Sequence, residues 1–152
     1  MNSKPKIRLF VSSPLAAGAR VALNSDQAYR AGRVMRLRPG DGVSLFNGRD
    51  GEWRGRLARL DRRGAEAVAE ECNRPQAAGL GPWLLFAPLK KTATDFLVEK
   101  ATELGAARLM PVFTRRTAAA RVSLDRLRAR AIEAAEQCER LDVPEIAEPA
   151  TL

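Results

Sequence analysis

The chain has 152 residues, of which 45% are apolar and 29% charged, so its composition is globular and excludes an intrinsically disordered protein. The formal net charge is +8, from 26 basic and 18 acidic residues, which predicts a polyanionic partner such as nucleic acid. Two distant cysteines and no histidine predict no metal site. Because no apolar run has membrane-spanning length and Lys4, Lys6 and Arg8 interrupt any signal-peptide core, no membrane association and a cytoplasmic location are expected.

The positive charge is concentrated in the first half of the chain. Residues 1–75 contain 15 basic and 8 acidic groups, whereas residues 76–152 contain 11 and 10. Most of the basic residues are arginines, whose planar guanidinium group matches phosphate oxygens and stacks on bases. A codon bias toward arginine is the alternative explanation, but it would not by itself place nearly all the excess charge in one half.

Short strands at intervals of about ten residues, with one helix among them, predict a small β-barrel in the first half. The predicted strands are residues 7–11, 20–23, 43–46, 52–60 and 65–69. Turn clusters separate them, notably Asn47-Gly48 and the Pro39-Gly40 step.

A helix is predicted after the second strand, with Ser25 as its N-cap. Its apolar face is predicted from four residues, Ala28, Ala31, Val34 and Met35. Arg30, Arg33 and Arg36 follow at i, i+3 and i+6 and form a basic stripe beside that face. Arg33 and Arg36 are therefore candidate contacts for RNA phosphates.

The pattern changes after a Gly-, Pro- and Ala-rich stretch near residues 73–82. Strands are predicted at residues 83–87, 109–113 and 143–146, with helices at 94–104 and after the N-cap Ser123. The predicted inward faces are Phe96, Leu97, Ala101 and Leu104 in the first helix and Leu124, Leu127, Ala131, Ala135 and Cys138 in the second. Strand, helix and strand in succession predict a β-α-β unit with a parallel sheet.

Polar residues that suit RNA contact follow these strands. Lys90, with Lys91, comes after the first strand and Arg116 after the next, and ligand crevices in open α/β sheets lie at such strand ends. Gln137 and Arg140, at i and i+3 near the end of the last helix, can read a base or a phosphate. Solvated loops and a solvated helix end are the alternative explanations. The sequence has no Gly-rich phosphate loop and no Ser-His-Asp set.

Several motifs resemble the RsmE family of 16S ribosomal RNA (uracil-N3) methyltransferases, which belongs to the SPOUT superfamily. In the second half they are KATELGA at residues 100–106, PVFTRRT at 111–117, EAAEQC at 133–138 and VPEI at 143–146. In the first half they are AGRVMRLRPGD at 31–41 and LFNG at 45–48. The resemblance extends in order over nearly the whole chain, and the motif at 133–138 is the most specific.

The resemblance implies an α+β part followed by an α/β part. Residues 1–74 would form a PUA-like RNA-binding β-barrel, residues 75–82 a linker, and residues 83–152 the start of a knotted SPOUT methyltransferase domain. The family implies S-adenosyl-L-methionine as methyl donor, 16S ribosomal RNA or the small ribosomal subunit as partner, and a homodimer formed through the methyltransferase domain. The predicted RNA-binding residues are Arg33, Arg36, Lys90, Arg116, Gln137 and Arg140.

The sequence departs from the family pattern at its loops. Lys90 keeps the first lysine of the loop after the first SPOUT strand, but Lys91 replaces a glycine and Ala93 a second lysine; Arg115 stands where the family often has Glu. The cofactor runs Gly-Pro-Glu-Gly-Gly and Leu-Arg-x-Glu-Thr-Ala do not occur. We therefore expect the C-terminal knot to be missing, this chain to be inactive alone, and no catalytic or cofactor-binding residue to be assignable.

Two other functions are compatible with the sequence. A non-catalytic ribosomal RNA-binding module would show the same charge pattern without a cofactor site. A PUA-bearing pseudouridine synthase fits less well, because no aspartate lies in a suitable catalytic loop.

Overall fold

The computed structural model describes residues 4–77 and 79–152, and the chain divides into two compact units between residues 77 and 78. Residues 1–3, which begin the predicted first domain, and Ala78, in the predicted linker, lie outside the described residues. Each unit has its own cluster of buried apolar side chains. The two units are therefore described one at a time.

A mixed five-stranded sheet forms the first unit, in the order β1-β3-β4-β5-β2. Its strands are β1 (Arg8–Phe10), β2 (Arg20–Leu23), β3 (Gly42–Phe46), β4 (Glu52–Asp61) and β5 (Gly64–Arg74). Only the β1–β3 pairing is parallel; the other three are antiparallel. Each of the five predicted strands is thus confirmed, with shifts of no more than one residue at their ends. The exception is β5, which continues five residues past its predicted end, to Arg74.

The long β4–β5 hairpin shows why this sheet curves around its core. Three register shifts interrupt the pairing of the two strands, and such irregularities bend a strand and increase its twist. Gly55 lies at one of them, where an added Cβ would stand 2.1 Å from the Val68 carbonyl oxygen. The pairings described for residues 4–77 run from β1 to β2 without closing, so the closed barrel stays a prediction.

The helix of the first unit begins and winds differently from the prediction. Asn24, not Ser25, is the N-cap: its side chain accepts from the Gln27 N–H while the Gln27 side chain accepts from the Asn24 N–H, a capping box. Helix α1 (Ser25–Tyr29) then continues as a π-helical segment (Arg30–Val34). This wider winding rotates the later side chains away from a 3.6-residue period.

The predicted apolar face of this helix is therefore only partly right. Ala31 is buried and Ala28 packs against the core. Val34 and Met35 are exposed instead of buried, because the π-helical segment ends there and the chain turns away.

A parallel sheet and two helices form the second unit. Its elements are β6 (Trp83–Phe86), α2 (Lys91–Glu103), β7 (Arg108–Phe113), α3 (Leu124–Gln137), β8 (Glu145–Ile146) and β9 (Ala150–Thr151). Strands β6, β8 and β9 all pair with β7 in parallel. The predicted β-α-β unit and parallel sheet are confirmed.

Along one of its edges, β7 pairs with β8 and β9 in two separate stretches. Strand β8 pairs at Arg108 and Leu109, and β9 pairs at Val112 and Phe113. The interruption between β8 and β9 falls opposite Met110 and Pro111. A proline has no N–H to donate to a sheet, so its place beside this interruption costs no hydrogen bond there.

The inward face of α2 differs from the predicted one. Thr94, Val98, Ala101 and Thr102 are buried, whereas Phe96 and Leu104 are 60% and 84% exposed. The buried Thr102 hydroxyl donates to the Val98 carbonyl at 2.7 Å, which removes the cost of burying a polar group. The predicted inward positions of Phe96 and Leu104 are therefore wrong.

Helix α3 agrees better with the prediction. Ser123 is its N-cap, and Leu127, Ala131 and Ala135 are buried. Leu124 is partly buried against the same cluster. Helix α2 follows β6 and α3 follows β7, so both helices begin on the side of the sheet where these parallel strands end. The two helices also pack against each other.

Candidate nucleic-acid interface

The basic residues of the second unit fall into two groups. Six of the eleven form ion pairs with carboxylates: Lys100, Arg108, Arg126, Arg128, Arg130 and Arg140. Within residues 79–152, the other five are exposed and without a described ion pair: Lys90, Lys91, Arg115, Arg116 and Arg121. All five lie in the segments that follow β6 and β7, so the uncompensated charge of this unit is gathered at the carboxyl ends of its strands.

Local structure places the two lysines at that end. Buried Pro88 leads out of β6, Lys90 is the N-cap of α2, and Lys91 is its first residue. The buried Thr94 hydroxyl accepts from the Leu89 N–H at 3.0 Å and donates to the Leu89 carbonyl at 3.1 Å. These two bonds tie the loop to the helix, so the backbone that carries Lys90 is held in place.

A tight turn presents the two arginines that follow β7. The Thr117 hydroxyl accepts from the Thr114 N–H at 2.7 Å, and the Thr117 N–H donates to the Thr114 carbonyl at 3.3 Å. The residues between them, Arg115 and Arg116, are exposed. Their guanidinium groups are therefore available to an external anion.

A crevice of about 290 Å³ lies beside these loops, between the starts of α2 and α3. We call it the strand-end crevice; its charged lining residues are Lys90, Lys91, Asp95, Arg121 and Arg126. Asp95 is ion-paired with Arg126 and Arg130, so its negative charge is compensated within the protein. The lining is positive overall, and the starts of two helices add a weaker attraction for anions.

The structure brings only some of the predicted site residues to this crevice. Lys90 lines it, and Arg116 stands in the neighbouring turn after β7. Arg121 and Arg126 were missed by sequence reasoning. Their signal was present, because both flank Ser123, a recognisable cap at the start of a helix that follows a parallel strand.

Gln137 and Arg140 have different surroundings. Gln137 is exposed at the end of α3, where it lines a shallow pocket with Glu99, Glu103 and Glu133. Past the helix the backbone turns at Glu139, which has a φ of 61°. The two side chains therefore do not continue along one helical face.

The Arg140 guanidinium is used within the protein. Nη1 donates to the carbonyls of Thr102 and Ala106 at 2.7 and 2.9 Å, and two other nitrogens pair with the Asp142 carboxylate at 3.2 Å. Its side chain is only 13% exposed. Arg140 thus connects the end of α2 to the segment before β8.

In the first unit, the predicted basic stripe is divided. Arg33 lies in the π-helical segment and is exposed. Arg36 is also exposed but comes after the helix, with a φ of 54°. Arg30 is partly buried and has a partner within the protein. Arg33 and Arg36 are therefore accessible to an RNA backbone, but from different local structures.

The described residues form neither a metal-binding cluster nor a membrane-spanning helix. Among residues 4–77 and 79–152, no three His, Cys, Asp or Glu residues are grouped so as to hold a metal ion. None of the helices in the described part of the chain is long and apolar enough to cross a membrane.

Comparison with family models gives two matches. Residues 81–152 match the RNA methyltransferase domain, and residues 31–70 match the RNA methyltransferase PUA domain. The first match includes the strand-end crevice, and the second includes Arg33 and Arg36.

Comparison with individual proteins gives two relatives that have the same name. The chain is 31% identical over 147 residues to ribosomal RNA small subunit methyltransferase E of Rickettsia conorii, covering 95% of this chain and 60% of the relative. It is 33% identical over 146 residues to the protein of the same name from Synechocystis, covering 95% and 48%. The chain thus spans about half to three fifths of these relatives.

A solved structure agrees with these matches. The ribosomal RNA small subunit methyltransferase E of Neisseria gonorrhoeae bound to S-adenosyl methionine superposes with a TM-score of 0.82 at 28% identity. The alignment covers 95% of this chain and 62% of that chain.

Proposed function

Because the chain belongs to the RNA methyltransferase family that includes the ribosomal RNA small subunit methyltransferases E, we propose that it holds ribosomal RNA for methylation of a uridine. The acceptor would be N3 of a uridine in 16S ribosomal RNA, with S-adenosyl-L-methionine as the donor. The observation that carries the proposal is the gathering of unpaired, exposed cations at the strand ends of the second unit.

The charge pattern supports an RNA backbone as ligand. Ion pairs within the protein compensate six basic residues of the second unit, so the remaining five are not needed for its internal electrostatics. Lysine and arginine side chains that contact phosphates displace counterions and supply most of the affinity for nucleic acid. Lys90 and Arg116, with the neighbouring Lys91, Arg115 and Arg121, are the proposed contacts.

We assign the two parts of the chain separate roles. Residues 1–74 would be a PUA-like barrel that binds RNA through Arg33 and Arg36, joined by a linker at 75–82 to residues 83–152. The latter would be the first part of a knotted SPOUT domain. The open five-stranded sheet and the parallel sheet around β7 support this assignment. We also propose a homodimer formed through the methyltransferase domain, as the family resemblance implies, and a cytoplasmic location.

The strand-end crevice does not fit the methyl donor. S-adenosyl-L-methionine carries a positive sulfonium group, whereas the lining supplies four cations against Asp95, which is already ion-paired. A positive lining disfavours a sulfonium and favours a phosphate. We therefore assign no residue of this chain to the cofactor and derive no step through it.

The contribution of this chain to the reaction would be positioning and charge stabilisation. Uridine N3 bears a proton at neutral pH, so methylation requires that the developing uracil anion be stabilised. A guanidinium group placed beside the base can stabilise that anion, and fixed positioning lowers the barrier further. Arg116 suits this role because the turn that carries it holds its guanidinium outside the fold.

The other two predicted contacts have different support. Gln137 is exposed and able to reach a ligand. For Arg140 we propose a positioning role, because three protein groups already accept hydrogen bonds from its guanidinium.

A salt titration tests RNA binding at the crevice. The affinity of the chain for a transcript of small-subunit ribosomal RNA is measured by filter binding at several salt concentrations. Lys90→Ala/Lys91→Ala should reduce the slope of log K against log salt by about 1.4 to 1.8, at roughly 0.7 to 0.9 per phosphate contact. The control is Arg128→Ala, an exposed arginine paired with Asp125.

The control should leave the slope near the wild-type value. An unchanged slope in the double variant would remove the crevice from the RNA interface.

A non-catalytic RNA-binding module is the second candidate, with which the poor fit of the crevice to the methyl donor is compatible. Both candidates predict that the 152-residue chain does not bind S-adenosylhomocysteine. Heat of binding in calorimetry would therefore contradict the module and would show that the chain itself holds the donor.

A further inference from the structure

The helix of the first unit forms one wall of a groove, and the end of the β4–β5 hairpin forms the other. Tyr29, Gly32 and Arg33 line it from the helix side, and Leu60 and Arg62 from the hairpin side. We call this the Tyr29 groove. It lies entirely within the first unit and is separate from the strand-end crevice.

Tyr29 is the only tyrosine of the chain, and its side chain is accessible. The residue is 63% exposed, although aromatic residues normally bury much of their surface. Gly32, one helical turn further on, adds no side chain, and a Cβ there would approach Leu60 Cδ2 to 3.2 Å. The apolar lining of the groove beside Tyr29 is formed by Ala28 and Leu60.

Positive charge stands on both walls of the groove. Arg33 and Arg62 are exposed, and neither has a described ion pair. The acidic lining residue, Asp61, is already paired with Arg59 at 3.0 Å and accepts from the Arg63 N–H at 2.7 Å. The groove therefore carries uncompensated guanidinium groups on both walls and an exposed aromatic ring on the helix wall.

We propose that the Tyr29 groove binds one unpaired nucleotide of the RNA, with its base stacked on Tyr29 and its flanking phosphates on Arg33 and Arg62. An exposed aromatic ring together with cations in one groove is an arrangement that recognises single-stranded nucleic acid, because each base has a π-face and each linkage a negative charge. A duplex keeps its bases stacked inside and cannot use the ring. The inference rests on the proposed RNA-binding function and adds that this unit selects single-stranded RNA.

The test compares two labelled probes of equal charge by fluorescence anisotropy. One is an octauridylate and the other is an abasic ribose-phosphate octamer. The wild-type chain should bind the octauridylate about 10-fold more tightly, since stacking on one aromatic ring contributes on the order of 5- to 150-fold. Tyr29→Ser should abolish this preference without weakening the abasic probe, and Tyr29→Phe should retain it.

Charge is tested with a matched pair of variants. Arg62→Ala should weaken binding of both probes and lower the salt slope by about 0.7. Arg54→Ala removes one exposed arginine of β4 outside the groove and should change both quantities less. Both sets are also measured in the Lys90→Ala/Lys91→Ala background, where the crevice contributes less to the signal.

The outcomes separate this inference from the function on which it rests. If Tyr29→Ser binds octauridylate within twofold of wild type in both backgrounds, the groove proposal is wrong while RNA binding stands. If the wild-type chain binds neither probe nor the ribosomal transcript, both proposals fail. A melting temperature near that of wild type for Tyr29→Ser establishes that any loss of binding is not a loss of fold.

Discussion

The carboxylate of Glu52 and the guanidinium of Arg8 form a largely buried ion pair at 3.1 Å, with side-chain exposures of 9% and 11%. The same carboxylate accepts from the Ser44 hydroxyl at 2.5 Å and pairs with Arg74 at 3.1 Å. The Arg8 guanidinium also lies 3.8 Å from the Phe46 ring centroid. One acidic side chain thus links three strands, β1, β3 and β5, to β4.

Glu52→Gln should destabilise the first unit by about 3 kcal/mol, because it removes the negative charge that faces the largely buried Arg8 guanidinium. Urea unfolding followed by circular dichroism measures the change. Glu70→Gln is the control, since its ion pair with Arg56 is half exposed and should contribute less than about 1 kcal/mol. Equal losses in the two variants would contradict the role assigned to Glu52.

Arg140→Lys should lower the stability of the second unit by about 2 kcal/mol. A lysine cannot supply the planar fork that reaches the Thr102 and Ala106 carbonyls together with Asp142. Thermal unfolding measures the loss, and Arg128→Lys, at an exposed pair with Asp125, is the matched control. Wild-type stability together with strongly reduced RNA affinity would instead make Arg140 a direct contact.

The pH dependence of stability should involve Asp50. The Leu15 N–H, and then the Asn47 amide, donate to this carboxylate and hold its pKa below the ordinary value of 3.8. A lowered pKa in the folded state means that the charged form contributes stability above the unfolded pKa, and that this stability is lost as the pH falls through the folded value.

The stability difference between wild type and Asp50→Asn should therefore be largest near neutral pH and shrink below about pH 4. Urea unfolding over a pH series measures it. Glu71→Gln removes an exposed carboxylate from β5 and serves as the control. A gap that stays constant down to pH 2 would show that the ionised carboxylate is not what stabilises this loop.

Thr94→Val should reduce RNA affinity although its side chain is buried. The substitution removes the two hydrogen bonds to Leu89 that fix the loop carrying Lys90, and it leaves a backbone N–H without its partner. We expect a severalfold weaker affinity and a stability loss of about 1 to 2 kcal/mol. Filter binding and thermal unfolding measure the two effects.

Thr92→Val, at an exposed position of the same helix, should leave both values unchanged. Affinity that stays at the wild-type value in Thr94→Val, despite lost stability, would mean that the loop does not need this anchor.

The strands were the elements of the fold that the sequence predicted best. Alternation along β4 and the apolar run of β7 follow from which faces of these strands are buried, and both are visible in the sequence. The apolar run of β6 predicts its strand but not its burial, because Trp83 and Leu85 are exposed.

The buried face of α2 could not be predicted from the sequence pattern. On this helix Thr94 and Thr102 are buried, whereas Phe96 and Leu104 are exposed. Thr102 can be buried because its hydroxyl donates a hydrogen bond within its own helix.

The residues of the candidate site also divide into those that the sequence predicts and those that it does not. Lys90 was found because it follows a strand, a position that topology alone marks as a ligand edge. Arg121 and Arg126 flank a cap that the sequence does show, but their meeting with Lys90 in one crevice depends on how α3 packs against α2, a long-range relationship. The sequence predicts Arg140 as an RNA contact beside Gln137, because the Thr102 and Ala106 carbonyls that it binds lie more than 30 residues away along the chain.

Pro111 affects the hydrogen bonding between β7 and the chain that forms β8 and β9. The Ala147 N–H donates to the Leu109 carbonyl at 2.9 Å, and pairing with β7 resumes at Ala150, which lies opposite Val112. Between these two points, Glu148 and Pro149 have no described pairing with β7. The amide hydrogen of Glu148 should then exchange with solvent sooner than those of β7, so that this edge loosens before the sheet unfolds.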